Sequence, residues 1–247
     1  MKQIEIDINC DVGEGIGNEQ DLLPLISSCN IACGGHAGDI GTMQEVVRLA
    51  KQYHVKVGAH PSYPDRKNFG RVSMDISEKR LMESIDKQLS SLISVTVKQG
   101  VQLHHIKPHG ALYNDIATDT ELASVFLKAI ESYKSNTSLY VPYKSVIATM
   151  ALDQGFQIKR EAFGDRNYNT DLTLVSRSLP NALIEAPKAV FAHLLSMVQN
   201  QQVKTVTGNM VHIMAETYCI HGDTPSALKI LTYLSETLPE HTIYIKK

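Results

Sequence analysis

The sequence predicts a single α/β domain folded as a (β/α) barrel of the TIM type, with seven strands. Three observations favour this fold. Short apolar runs of strand length alternate with stretches of helical periodicity, about seven times in all. Polar and titratable residues follow the ends of several of these runs. The length of 247 residues is close to the roughly 250 residues typical of such barrels.

The composition favours a small molecule or another protein as partner. The chain carries 24 Lys and Arg against 26 Asp and Glu, a formal net charge of -2, so we expect neither nucleic-acid nor membrane binding. No apolar stretch approaches the roughly 20 residues that span a bilayer, and the first residues lead into a strand pattern without a signal region. We therefore expect a cytoplasmic protein.

Alternation and apolar runs place the strands. Residues 3–9 alternate strictly, with Ile4, Ile6 and Ile8 on one face and acidic or amide side chains on the other. A barrel strand whose outer face packs on helices and whose inner face is polar would have this pattern. Further strands are predicted at residues 29–33, 55–60, 103–107, 138–141, 156–161 and 217–220.

Periodicity and capping residues place the helices between these strands. Asp39 is a candidate cap for the helix that follows the second strand, and Ser77 begins a long helix that Gly100 ends. Further helices are predicted near residues 119–133 and 143–154, from Pro187, and from Pro225 with Asp223 or Thr224 as the cap.

One antiparallel excursion is predicted, a hairpin over residues 205–212 with its turn at Gly208-Asn209. No linker, low-complexity segment or readable repeat interrupts the chain. Residues 1–247 are therefore predicted to form one domain.

Titratable residues lie at or just beyond the ends of six predicted strands. In a barrel, the carboxyl ends of all strands meet at one rim, where (β/α) enzymes keep their active sites. In a doubly wound open sheet, the alternative closure, only the ends near the switch point would meet. The repeated placement favours the barrel and predicts one shared pocket. The residues are Asp11, His36, His60, Lys107 with His109, Glu161 with Asp165, and His221 with Asp223.

The other histidines and the cysteines are predicted to be structural or exposed. These histidines are His54, His104, His193, His212 and His241. In a long chain without a CxxC pair, cysteines beside strands are more often buried thiols than disulfides or zinc ligands. The cysteines are Cys10, Cys29, Cys33 and Cys219.

Five blocks of sequence carry a resemblance to a known family: residues 7–14 (DINCDVGE), 30–39 (NIACGGHAGD), 58–61 (GAHP), 105–114 (HIKPHGALYN) and 219–225 (CIHGDTP). They resemble the signature blocks of the LamB/YcsF family, which contains the A subunits of 5-oxoprolinase, and follow the expected order over nearly the whole chain. The resemblance implies a barrel of the glycoside hydrolase/deacetylase type. It also implies that two further subunits, B and C, act with this chain to open 5-oxo-L-proline to L-glutamate at the expense of ATP.

This activity fits the residue types at the strand ends. A five-membered lactam is an unreactive amide, so its opening needs general bases, and cations to hold carboxylate and phosphate groups. We predict that the catalytic residues are Asp11, His36, His60, Lys107, His109 and Asp223. The predicted substrate-binding residues are Asn9, Glu14, Asn30, Asp39, His105, Tyr113, Glu161, Asp165, Arg177 and His221.

ATP is expected as a co-substrate with Mg²⁺, and no protein-bound metal is assigned. The glycine-rich stretch over residues 11–17 lacks the Lys-Ser/Thr ending of a nucleotide P-loop, so phosphorylation is expected to lie largely with the partner subunits. Lys107 is predicted to hold the substrate carboxylate or the charge growing on the lactam oxygen. Its replacement by Met is expected to leave folding intact.

Two alternatives remain open from the sequence. One is a metal-dependent deacetylase or amidohydrolase acting on a small amide or carbohydrate, with Asp11, His36 and His60 as ligands that activate a water molecule. The other is a non-catalytic scaffold within a larger complex. Both place the same residues in the barrel, so the fold by itself does not separate them.

Overall fold

Residues 3–247 are described by a computed structural model, in which a parallel barrel is surrounded by helices. The strands are β1 Ile4–Val12, β2 Ser28–Ala32, β3 Lys56–His60, β4 Leu103–Ile106, β5 Ser138–Pro142, β6 Gln157–Phe163, β7 Gln202–Lys204, β8 Met210–His212, β9 Thr217–Cys219 and β10 Ile243–Ile245. The helices are α1 Glu19–Leu22, α2 Ile40–Gln52, α3 Glu78–Gln99, α4 Gly110–Asp115, α5 Thr120–Ala129, α6 Val146–Asp153, α7 Pro187–Asn200 and α8 Ala227–Thr237.

The barrel closes because β9, the last strand of the ring, pairs with β1, the first. Neighbouring strands follow the order β1-β2-β3-β4-β5-β6-β9, and β9 pairs back onto β1 with Asp7 opposite Thr217. All of these pairings are parallel. The seven-stranded barrel predicted from the sequence is therefore confirmed, and the carboxyl ends of its strands meet at one rim.

The two faces of β1 show why the barrel has a polar interior. Ile6 and Ile8 are buried in the apolar core. Asp7, Asn9 and Asp11 alternate with them and are also buried, but they bond to side chains from strands around the barrel. The helices cover the apolar face, with the predicted stripe of α3 buried at Leu81, Ile85, Leu89 and Leu92. Alternation thus separates an apolar sheath from a polar centre.

Helix termini follow local chemistry, with one exception. The Asp39 side chain accepts a hydrogen bond from the Thr42 backbone N–H, and Gly100 ends α3 in the left-handed region at φ 66°. The prediction that Asp223 or Thr224 caps α8 is wrong, because Ser226 occupies that position. The side chains of Asp223 and Thr224 bond to Arg71 and Asp165 instead.

Three short elements were absent from the sequence prediction. Strand β10 extends β1 at residues Ile4–Ile6, outside the closed ring, and α1 and α4 have only 4 and 6 residues. Segments this short carry less than two turns of helix or too few alternations to give a periodic signal. The antiparallel pair β7–β8 forms a hairpin at the predicted place, but its first strand, β7, lies wholly before the predicted range of 205–212, and residues 205–209 form the connection. No helix within residues 3–247 is long and apolar enough to cross a membrane.

Gly58 in β3 leaves room for an aromatic ring inside the barrel. A Cβ at this position would lie 2.0 Å from Nε2 of His105, which is fully buried. We expect Gly58→Ala to destabilise the chain by about 1–3 kcal/mol, the cost of overpacking a dense core. Urea unfolding measures this difference.

Gly41→Ala in α2 is the matched control. Its Cβ would meet only Asp39 Oδ1, at 3.4 Å, so the free energy of unfolding should not fall, and it should rise by up to about 1 kcal/mol because Ala favours a helix over Gly. Equal stability of Gly58→Ala and the unmodified chain would contradict the packing described here.

Candidate functional site

The candidate site lies at the rim formed by the carboxyl ends of the barrel strands. Most strands, or the loops after them, contribute one or two side chains, which is why residues far apart in sequence meet. They are Asn9, Asp11 and Glu14 from β1 and its loop, Asn30 and His36 from β2 and its loop, His60 from β3, His105, Lys107 and His109 from β4 and its loop, Glu161 and Asp165 from β6 and its loop, and His221 and Asp223 after β9.

Lys107 occupies the centre of the site as a buried cation. Its Nζ lies 3.0 Å from Asp11 Oδ1 and 2.9 Å from Glu161 Oε1, and the side chain is 2% exposed. Asn9 Oδ1 at 3.2 Å and Cys219 Sγ at 3.1 Å complete its surroundings. Burial lowers the pKa of an ammonium group, but the Asp11 carboxylate outweighs it and holds the Lys107 pKa well above its usual value. Lys107 is therefore charged at neutral pH.

Asn30, linked to Asn9, holds the carboxylate of Asp11 from below. Asn30 Nδ2 donates to Asn9 Oδ1 at 2.7 Å and to Asp11 Oδ1 at 2.8 Å. Asn30 Oδ1 lies 2.7 Å from His105 Nε2, and the His105 ring stacks on Tyr140. Because buried polar groups are costly unless paired, this network gives the charged centre a fixed geometry.

Three histidines stand above Asp11 at the mouth of the barrel. His60 Nε2 is 3.4 Å from Asp11 Oδ2 and 3.0 Å from His109 Nδ1. The His109 ring stacks on His36, with ring centres 3.6 Å apart. His36 Nε2 contacts Glu14 Oε1 at 2.9 Å. Five of the six predicted catalytic residues thus form one continuous set of contacts.

Burial shifts the pKa values of His36 and Glu14, which contact each other, in opposite directions. Burial lowers the pKa of His36 to about 2. Burial, followed by the nearby Asp11 carboxylate, raises the Glu14 pKa well above its usual value. Because His36 is neutral, the contact is a hydrogen bond and not an ion pair.

The sixth predicted catalytic residue, Asp223, lies at the rim. Its carboxylate is paired with Arg71 and lies 3.4 Å from Arg177 Nη1. The Arg71 and Arg177 side chains are 35% and 26% exposed, in contrast to the enclosed Lys107. These two arginines are therefore cations at this end of the barrel that an incoming anion can reach.

Asp165 and His221 form a second rim pair. Asp165 accepts hydrogen bonds from the His221 backbone N–H at 2.9 Å and from Thr224 Oγ1 at 2.8 Å, and its Oδ1 lies 2.9 Å from His221 Nδ1. Burial works against ionisation, but the charge and hydrogen bonds of His221 lower the Asp165 pKa to about 2. This pair ties the loop after β6 to the loop after β9.

The predicted substrate-binding residues are not all in the pocket. Tyr113 is buried, and burial together with the Glu161 carboxylate raises its pKa well above the usual value. Asp39 is exposed, and its hydrogen bond as the cap of α2 accounts for its position. The roles of these residues stay predictions, but Asp39 lies apart from the buried network.

Sequence reasoning missed four residues of the site. Asp7 anchors the polar centre by accepting bonds from Ser28 and Thr217, and Cys219 lies against Lys107. Phe69 contacts the histidines through its carbonyl and its ring, and Arg71 reaches Asp223. The alternation of β1 could have indicated Asp7. The positions of Phe69 and Arg71 depend on the long loop after β3, whose path has no local signal.

Among residues 3–247, two groups of side chains have donor atoms close enough to hold a metal ion. In each group, the donor atoms lie within 4.8 Å of one another. One group is Glu14, His36, His60 and His109, and the other is Asp11, Cys219 and His221. All four cysteines are buried free thiols, as expected.

Comparison with known proteins agrees with this architecture. The profile of the LamB/YcsF family matches residues 6–247. The structure of lactam utilization protein from Thermus thermophilus superposes with a TM-score of 0.91 and 34% sequence identity, covering 98% of this chain and 99% of that chain.

More distant similarity concerns the fold alone. Family 4 carbohydrate esterase from Streptomyces lividans has a TM-score of 0.53 at 11% identity, with 98% of this chain and 91% of that chain covered. Peptidoglycan deacetylase PdaC from Bacillus subtilis has a TM-score of 0.50 at 10% identity, with 99% and 88% covered.

Fold and site together define a seven-stranded (β/α)-barrel protein with a buried, charged centre beneath a histidine-lined mouth. The family match over nearly the whole chain makes the assignment specific. The chain belongs to the LamB/YcsF family.

The structure changes the expectation that Lys107→Met leaves folding intact. Removal of the ammonium group leaves the buried Asp11 and Glu161 carboxylates without their cationic partner. We expect a loss of about 3–5 kcal/mol in the free energy of unfolding, because one partner of a buried ion pair is deleted. Urea unfolding of Lys107→Met and of the half-exposed control Lys159→Met measures it. Equal effects of the two substitutions would show that Lys107 is not part of a buried ion cluster.

Asp165 should stabilise the chain in a pH-dependent way. Its folded-state pKa of about 2 lies below the usual 3.8, so its contribution is present above pH 4 and is lost as the pH falls towards 2. We expect Asp165→Asn to cost about 2 kcal/mol at neutral pH, and the difference from the unmodified chain to shrink below pH 4. Urea unfolding across this range, with exposed Asp153→Asn as control, measures it. A difference that does not depend on pH would contradict the ionised pair.

Proposed function

We propose that this chain is the A subunit of an ATP-dependent 5-oxoprolinase, which opens 5-oxo-L-proline to L-glutamate together with subunits B and C. The observation that carries the proposal is the 34% identity, over nearly the full length of both chains, to a protein described as a lactam utilization protein. The charged, histidine-lined site supports it, because a lactam is a cyclic amide whose opening needs general bases and stabilisation of negative charge.

In this proposal, the centre of the site supplies the base, and the rim binds the substrate carboxylate. Asp11 Oδ1 is held by Lys107 and Asn30, whereas Oδ2 faces His60 and the mouth. Asp11 is therefore the candidate base for the water molecule or the substrate N–H. Lys107 keeps Asp11 ionised and in place.

Recognition of the substrate carboxylate falls to the rim in this proposal. Lys107 directs its donors at Asp11, Glu161 and Asn9, so it has no free donor for a ligand. Arg71 and Arg177 are partly exposed and share the Asp223 carboxylate. These two arginines replace Lys107 as the proposed anchors of the carboxylate, because a guanidinium binds carboxylates in a bidentate manner.

Phosphorylation of the lactam oxygen by ATP, with Mg²⁺, is assigned to the partner subunits or to the interface with them. The sequence of this chain has a glycine-rich loop after β1 without the Lys-Ser/Thr ending of a P-loop. The division of work also separates this proposal from an amidohydrolase or deacetylase, which would act alone and without ATP.

Reconstitution tests the proposal. The chain is mixed with subunits B and C, 5-oxo-L-proline and ATP, and glutamate and ADP are followed. We expect glutamate to form only with all subunits and ATP present. Glutamate formation by this chain alone, or without ATP, would contradict the proposal.

A substitution at Asp11 tests the role of this chain in the same assay. Asp11→Asn keeps the side-chain shape, so the complex should assemble, but we expect turnover to fall by about 10²–10⁴ because a general base is lost. Asp153→Asn, exposed on α6, is the control and should turn over at the unmodified rate. Full activity of an assembled Asp11→Asn complex would favour a scaffold role for the chain.

A further inference from the structure

At the mouth, His60 and His109 each direct an unprotonated ring nitrogen towards the other. His60 Nδ1 lies 2.7 Å from the backbone carbonyl oxygen of Lys107, and His109 Nε2 lies 2.9 Å from that of Phe69. A carbonyl oxygen only accepts, so each of these nitrogens carries the hydrogen. The opposite nitrogens, His60 Nε2 and His109 Nδ1, then present lone pairs to each other across 3.0 Å.

Facing lone pairs at this distance repel unless a cation lies between or beside them. A metal ion needs neutral imidazoles, and its histidine ligands commonly donate their second N–H to a backbone carbonyl. His60 and His109 both have this arrangement.

The distances and ring planes also fit a metal ion. Two donors bound at about 2.1 Å lie about 3.0 Å apart at the right angle of octahedral coordination and about 3.4 Å apart at the tetrahedral angle, so 3.0 Å is at the short end of this range. The His60 and His109 rings are inclined at 84°, so a single point can lie in both planes, as lone-pair coordination requires. Glu14 Oε1 is 3.4 Å from His109 Nδ1 and supplies a third donor on the same side.

His36 has a different position. Its ring is parallel to that of His109, at an angle of 4° and a centre distance of 3.6 Å, so one ion cannot lie in the planes of both rings. Its Nε2 lies 2.9 Å from Glu14 Oε1. His36 is therefore placed to orient the carboxylate and not to bind the ion itself.

We propose that His60 Nε2, His109 Nδ1 and Glu14 Oε1 bind a divalent first-row transition-metal ion, with His36 as the positioning residue for Glu14. Two imidazoles and one carboxylate leave coordination positions open, and nitrogen donors favour ions such as Zn²⁺ over Mg²⁺ or Ca²⁺. The set differs from Asp11, His36 and His60, the ligands considered from the sequence, because Lys107 and Asn30 hold Asp11 and His36 is parallel to His109.

An ion in this place would lie beside Asp11 at the mouth of the barrel. Polarisation of a lactam carbonyl by the open positions of the ion is a role that rests on the proposed function. Binding of the ion does not rest on it, because the ligand geometry belongs to this chain alone. The ion would be compatible with either an ATP-dependent or an ATP-independent amide-opening reaction.

Calorimetric titration of the chelator-treated full chain with Zn²⁺ tests the proposal, with Co²⁺ absorption as a second readout. We expect one ion per chain. Loss of a residue that only positions a metal ligand weakens binding by roughly 10–100-fold. We expect His36→Gln to fall within this range. His60→Asn and His109→Asn each remove a ligand and should weaken binding by more. His212→Asn removes an exposed imidazole on β8 and should bind as the unmodified chain does.

Circular dichroism of each variant separates loss of a ligand from loss of the fold. His36→Gln is the safer variant, because within the described residues the His36 Nδ1 atom has no hydrogen-bond partner to lose. Failure of the unmodified chain to bind Zn²⁺ or Co²⁺ would overturn the proposal, as would unchanged binding by folded His60→Asn or His109→Asn. A loss in His36→Gln as large as in His60→Asn would contradict the assignment of ligands. None of these readouts uses turnover, so they stand apart from the test of the proposed function.

Discussion

The buried contact of Lys107 with Asp11 and Glu161 is the constraint on which the rest of the site depends. Desolvation of each charge costs several kcal/mol, and an apolar cluster of the same volume would serve stability as well or better. Two carboxylates also share one ammonium within about 3 Å, which leaves a formal negative charge at the centre. We infer that the cluster is kept for chemistry, since it holds Asp11 ionised directly below the mouth of the barrel.

The polar interior links this centre to the histidines. The Lys107 carbonyl accepts the hydrogen of His60 Nδ1, so the backbone that carries the central cation also sets the ring that faces Asp11. Asn9 on β1 accepts hydrogen bonds from Lys107 and from Asn30 on β2, so these two strands hold the same centre. Apolar side chains stay on the outer faces of the strands, against the helices. A rigid sheath around a hydrogen-bonded polar core leaves little freedom to the reacting groups, as preorganised catalysis requires.

Sequence reasoning succeeded where the signal was local. Strict alternation at Ile4, Ile6 and Ile8 indicated the two faces of β1, and repeated strand ends indicated the shared rim. It had no signal for contacts made across the barrel. Lys107 is enclosed by its partners, and its role towards the substrate stays a prediction. Arg71 had no signal that it would reach Asp223. The orientation of histidine rings, which separates His36 from His60, has no sequence signal at all.

We propose that the mouth of this barrel binds and opens a lactam within an assembled complex. A structure of the complex of this chain with subunits B and C, determined with 5-oxo-L-proline bound, tests it most directly. We expect the lactam ring above Asp11 and His60, with its carboxylate against Arg71 or Arg177. A lactam bound only in one of the partner subunits, with the mouth of this barrel empty or closed by protein, would contradict it.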